Sequence, residues 1–362
     1  MKKFSSFVQQ VLLGIIVGAI LGVCIVFLFK DDFMINFGFD TMIYFCVMLL
    51  VSFILQIIIH EGGHLIFGKL AGFKFISFRI GSYVLTKEDK VKISRLSLPG
   101  TAGQCLMEPA QPSYMKYIGY LLGGSLCNLV AALLFFMISL VNQDLLLDIF
   151  SFSMFAVGLL LGLTNLVPLD LGLPNDGSNA YWITRNRDSM YSLYQQLMIS
   201  KELTLGKGLD EVDDKYTVVY ENANLNNPLN LCIEVNHASK LIYQERYKEA
   251  KRLLERIKDV DMSDIYKESI QLDLVLLELF TSDNINVDQY LSDKDKEKMN
   301  KNKHDLVSLL CQYGIELLVN KTDADIALKY FKDLCKKYPY QGIVKGLKEI
   351  QKKLEERGQQ NG

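Results

Sequence analysis

The sequence predicts a mainly α-helical, polytopic membrane protein with about four transmembrane helices and a small β hairpin or sheet, followed by a soluble, repeat-like helical domain. Three observations predict it. Charge is split along the 362 residues: residues 1–184 hold 22 acidic and basic side chains, whereas residues 185–362 hold 58. Four apolar runs in the first part reach the roughly 20 residues that a membrane-crossing helix needs. In the second part, apolar residues recur at helical spacing between charged ones. The expected domains are a membrane domain over 1–184, a linker and connecting helix over 185–227, and a cytosolic helical domain over 228–362.

The balance of 39 Lys and Arg against 41 Asp and Glu, a net charge of −2, excludes a basic nucleic-acid-binding surface. The 7 cysteines show no CxxC pair, which argues against a disulfide framework or a cysteine zinc site. Reduced thiols fit a C-terminal half in the cytosol.

The first run, Val11–Phe29, follows Lys2 and Lys3. It is longer than a signal-peptide core and no small-residue cleavage site follows, so a retained helix is expected. Gly14, Gly18 and Gly22 would line one face of it and permit close packing. The second run, from Thr41 to Phe67, is broken only by Gln56 and by His60-Glu61-Gly62-Gly63-His64. The third is Tyr117–Val141, and the fourth is Ile149–Leu169. Between the second and third runs lie Lys69, Lys74, Arg79, Lys87, Lys90, Lys92, Arg95 and Lys116; the other two connections hold only Lys30. The positive-inside rule then puts that segment and both termini in the cytosol. Within it, Phe73–Ile80, Tyr83–Thr86 and Val91–Leu98 alternate apolar and polar residues and read as a small sheet. Residues 101–116, with Pro109 and Pro112, read as a loop.

His60 and His64 stand four apart on a predicted helix, so both imidazoles share one face. That spacing suits two zinc ligands, with Glu61 as general base toward a zinc-activated water. Zinc lowers the pKa of such a water from about 15.7 to 7. Ionisable groups in an apolar span are costly and mark function. With Lys69 at the interface, His64 and His60 sit about 7 and 13 Å inward at the α-helical rise. Gly62 and Gly63 offer a partner helix or substrate close approach to the metal. A catalytic zinc needs a third protein ligand. Asp176, in Pro174-Asn175-Asp176-Gly177, is the best candidate, and Asp170 is its rival.

These pieces together resemble the site-2 protease family of intramembrane zinc metalloproteases. The matching elements are His60–His64 in a span, Gly123-Gly124-Ser125-Leu126-Cys127-Asn128 in the next, and Asn165-x-x-Pro168 leading to Asp176-Gly177, across about residues 41–184. Ser125 stands where the family commonly has proline, and the stretch from Pro168 to Asp176 is longer than usual. The resemblance implies that His60, His64 and Asp176 bind Zn2+ and that Glu61 activates water. It also implies that Asn165 helps hold the substrate strand or the developing oxyanion. Asn128 would play a similar polar role, or else form an interhelical hydrogen bond. The expected substrate is a membrane-spanning or membrane-bound peptide or protein within the lipid bilayer. A helical substrate must unwind before cleavage, and residues 73–98 could receive it by strand addition.

In the soluble half, Leu231–Gln244 with Tyr247–Ile257, and His304–Val319 with Ala324–Tyr338, read as helix hairpins resembling degenerate tetratricopeptide pairs. Asp264–Phe280 reads as a further amphipathic helix, and the polar stretch Gly206–Pro228 as a linker. Such a domain offers a binding surface for a protein partner. The alternative function is a catalytically silent membrane scaffold that recruits partners through it. The Lys, Asn and Ile usage suits a bacterial cell-membrane protein.

Overall fold

The computed structural model describes residues 38–87, 91–95, 102–142, 144–169, 173–220 and 222–360, with residues 11, 14, 15, 17–20, 22 and 23 of the first apolar run. Those nine are helical, but the expected span Val11–Phe29 falls largely outside the described residues, as does Asp170. The chain divides into two compact units, one of Met1–Ile93 with Ser97–Met190 and one of Ser94–Leu96 with Tyr191–Gly362.

Three described helices of the first unit are long and apolar enough to cross a membrane: α1 (Phe39–Leu70), α2 (Tyr114–Val141) and α3 (Leu145–Leu166). Their 32, 28 and 22 residues span about 48, 42 and 33 Å, against a hydrocarbon core of about 30 Å. Their surface is inverted relative to a soluble protein. Leu50, Val130, Leu133 and Val141 face outward, while Ser52, Gln56, Glu61, His64, Ser125 and Asn128 are buried. Phe152, Phe155 and Ala156 of α3 pack with Ala132 of α2, and Tyr44, Phe45 and Met48 of α1 lie against them.

Between α1 and α2 lies a four-stranded antiparallel sheet in the order β3-β2-β1-β4. Its strands are β1 (Lys74–Ile80), β2 (Tyr83–Lys87), β3 (Val91–Arg95) and β4 (Gly103–Glu108). Gly81, at φ +54°, makes the β1–β2 turn that the sequence signals. The fourth strand corrects the expected loop. Cys105, Leu106 and Met107 are all buried, so no alternation marks the strand. It forms because the free edge of β1 pairs with it, from Lys74 opposite Glu108 to Ile80 opposite Gly103, with a bulge between Phe75 and Ser77. After α3, the short helix α4 (Asp176–Arg185) closes the first unit's fold.

The second unit is helical. It comprises α5 (Arg187–Thr204) from Tyr191 onward, α6 (Pro228–Tyr243), α7 (Tyr247–Ile257), α8 (Asp264–Thr281), α9 (Asp293–Lys301), α10 (Leu306–Ile315), α11 (Asp325–Lys337) and α12 (Gln341–Gln360). Both expected hairpins are present as α6–α7 and α10–α11. Ala238, Ala250, Leu254, Ala327 and Phe331 sit in one apolar core. The stretch read as linker is folded: Leu209, Val212 and Tyr216 pack with Met198, Ile199 and Ile233. The buried Lys240 ammonium staples it, donating to the Val212 carbonyl and the Asp214 carboxylate.

Candidate metal centre

His60 and His64 lie on the last turns of α1, Asp176 on the first turn of α4. Three helices bring them together. Glycine makes the approach possible: a β-carbon on Gly63 would lie 2.3 Å from the Gly123 carbonyl oxygen, so α1 and α2 meet backbone to backbone. On Gly124 it would lie 2.6 Å from Nε2 of His64 and 2.7 Å from Cε1 of His60. Gly62, the other glycine of the motif, faces open space.

Asn175 delivers Asp176. Its side-chain oxygen accepts from the Ser178 N–H at 2.8 Å and caps α4. Its amide nitrogen donates to the carbonyls of Thr164 at 2.6 Å and Val167 at 2.8 Å, tying α4 to the end of α3. A β-carbon on Gly177 would lie 2.2 Å from the Leu166 carbonyl oxygen, so only glycine fits there. In the sequence the segment's chemistry points to its acidic residue, and the seating role belongs to Asn175, which that chemistry does not mark. A cap asparagine directly before the helix was the available signal.

The three ligand atoms form a small triangle. Nε2 of His60 lies 3.1 Å from Nε2 of His64 and 3.1 Å from Oδ2 of Asp176, and His64 Nε2 lies 3.3 Å from the same oxygen. Ligands 2.0–2.1 Å from a tetrahedral zinc stand about 3.3 Å apart. The other ring nitrogens are engaged: Nδ1 of His64 donates to the Tyr120 carbonyl at 2.8 Å, and Nδ1 of His60 meets Asn128 Oδ1 at 2.6 Å. With those protons placed, two imidazole lone pairs and a carboxylate oxygen converge without a donor among them. His60, His64 and Asp176 can therefore hold a metal ion, and a cation is the group that satisfies all three atoms.

Glu61 is buried beside the triangle, its carboxylate accepting from the Cys105 N–H of β4. A β-carbon on Gly103 would lie 2.5 Å from Oε1 of Glu61. The Tyr120 hydroxyl donates to the Cys105 carbonyl at 2.8 Å. Strand β4 thus backs the site. Strand β3 lies at the opposite edge of the sheet, about 14 Å away at the usual strand spacing, so the strand beside the site is β4, outside the 73–98 segment expected there, and within that segment β1 is its neighbour. The Cys105 thiol is pushed up to about 12 by burial and by Glu61, and it stays protonated.

Asn165 does not join the cluster: its amide donates to the Leu161 carbonyl, one turn back in α3, at 3.0 Å. Asn128 joins it through His60. In the helical unit a cavity of about 600 Å³ is lined by Tyr220, Glu234, His237, Leu253 and Arg256.

No protein-family model, curated protein or solved structure matches this chain.

Proposed function

We propose that the chain is a membrane-embedded zinc endopeptidase of the site-2 protease type, hydrolysing peptide bonds in membrane-spanning or membrane-bound substrates. The observation that carries the reading is the His60–His64–Asp176 triangle of bare acceptors with Glu61 beside it, inside helices otherwise fit for lipid. His60, His64 and Asp176 would hold Zn2+. Zinc bound there supplies Lewis acidity, lowering the pKa of a water to roughly 7 and polarising a peptide carbonyl.

The remaining work belongs to the chain. Glu61 accepts the proton released by the attacking water and returns it to the departing amine as the C–N bond breaks. The Cys105 amide holds that carboxylate in place. Asn165 is assigned to substrate or oxyanion contact by family resemblance alone. The site faces the cytosolic leaflet when Lys69 lies at the interface, with both termini cytosolic in a bacterial cell membrane. The helical unit, with its cavity beside Glu234 and Arg256, offers a protein partner a docking surface.

Elemental analysis of the detergent-purified protein tests the metal. Wild type should carry about one zinc per chain, absent from His64→Ala and Asp176→Ala and kept in Asp170→Ala. Zinc kept in Asp176→Ala and lost in Asp170→Ala moves the third ligand to Asp170. A metal-free wild type under zinc-replete conditions overturns the enzyme reading and leaves the scaffold.

A further inference from the structure

Gln56 stands one turn before His60 on α1, has no exposed surface, and is unused by the hydrolytic chemistry. Its amide nitrogen donates to the carbonyl of Met154 in α3 at 2.9 Å. A carbonyl only accepts, so the Gln56 amide has one orientation and its oxygen faces α2. There Asn128, also fully buried, donates to Gln56 Oε1 at 2.7 Å and to the Gln56 backbone carbonyl at 2.8 Å. Both N–H groups of Asn128 are spent, and its orientation is set by the same logic. Its oxygen then faces Nδ1 of His60 at 2.6 Å and accepts. The proton of a neutral His60 must therefore sit on Nδ1, which leaves the Nε2 lone pair aimed at the triangle.

We infer that Gln56 and Asn128 are positioning residues: they form a one-way hydrogen-bond relay, started by the Met154 carbonyl, that fixes the tautomer and ring angle of His60. His64 needs no relay, because the Tyr120 carbonyl takes its Nδ1 proton directly. Gly158 is part of the device, since a β-carbon there would lie 2.5 Å from Gln56 Nε2. The relay also decides between the two roles considered for Asn128: with both N–H groups bound to Gln56, it has none to give a substrate. The inference rests on His60 as a metal ligand for its purpose, but the relay itself is a property of the metal-free chain.

The test separates the two. With 4 histidines in the chain, nitrogen NMR of the full-length protein carrying ¹⁵N-histidine reads each tautomer, His60 being assigned with His60→Gln. In metal-free protein at pH 8, His60 should carry its proton on Nδ1. In Asn128→Leu and Gln56→Leu the Nε2–H form should appear, and zinc affinity, measured by chelator competition, should fall about 10–100-fold. Gln56→Glu, buried and neutral, can still donate to Met154 and accept from Asn128, and should restore affinity to within about threefold of wild type. Gly158→Ala, which touches no ligand, should weaken zinc binding and serves if the leucine variants fail to fold. An Nε2–H His60 in wild type, or unchanged tautomer and affinity in folded Asn128→Leu, overturns the relay. An Nδ1–H His60 in a wild type that binds no zinc leaves the relay standing and removes the metal reading.

Discussion

Gly124 lies against the face of His64 so closely that a β-carbon on it would come within 2.6 Å of the imidazole Nε2. Real β-carbons do not approach that near, so a side chain at 124 must displace either the helix or the ligand. The relationship explains why α2 carries glycine at this level and yields a direct prediction. Gly124→Ala should weaken zinc binding by about 5- to 100-fold while the protein stays folded, the overpacking costing about 1–3 kcal/mol. Chelator competition with circular dichroism checks it. Unaltered affinity would mean that α2 does not back the metal.

Glu61→Gln removes a proton acceptor and leaves the three ligand atoms in place. Zinc content should remain that of wild type. Cleavage of a transmembrane substrate reconstituted in liposomes should fall about 10²–10⁴-fold, the usual contribution of general acid–base catalysis. A variant that still cleaves at the wild-type rate would take the base role from Glu61.

Asn175 holds Asp176 through one acceptor and two donor contacts. Asn175→Ala loses all three, and a lost N-cap alone costs about 0.5–2 kcal/mol. Zinc affinity should drop although 175 is no ligand. Asn175→Asp keeps the cap and loses the donors to Thr164 and Val167, so it should fall between Ala and wild type. Equal affinities across the series would show that α4 is seated without it.

Asp273, buried in α8 with the Ser239 hydroxyl donating to it at 2.9 Å, has its carboxyl pushed up to about 7, chiefly by burial and further by Asp305. A carboxyl raised in the folded state binds its proton more tightly there than in the unfolded chain. Its contribution is fully present below the unfolded value near 4 and is lost as pH rises through about 7. The span of about three pH units corresponds to a few kcal/mol. Hydrogen-exchange protection of α8 in the full-length protein, corrected for the intrinsic exchange rate, should therefore fall between about pH 4 and 7 and level off above that. Asp273→Asn should remove that fall and protect α8 more strongly at pH 8. A slope that survives the substitution assigns it to another group.

Local signals mark some parts of this molecule and not others. His60, Glu61 and His64 were legible because helical spacing alone puts the histidines on one face. Three of the four expected spans were legible from hydropathy as long apolar helices, and the α6–α7 and α10–α11 hairpins from periodicity. Asp176 was named from a four-residue turn, and the geometry places its carboxylate on the two imidazoles. Asn165 was carried over by resemblance, and its amide donates within its own helix, to the Leu161 carbonyl. Strand β4 was missed because its partner lies about 30 residues earlier and both of its faces are covered, so no alternation survives.

What the sequence by itself determined is whatever repeats along the chain: the helices, their apolar surfaces, the charge split and the paired histidines. Tertiary structure alone decided the rest. Asp176 meets the histidines only because Gly63, Gly123 and Gly177 let backbones touch. Gln56 and Asn128 become one relay only because α1, α2 and α3 converge on the Met154 carbonyl. Hydrogen-bond direction and close packing are relations between distant segments, and no local pattern encodes them.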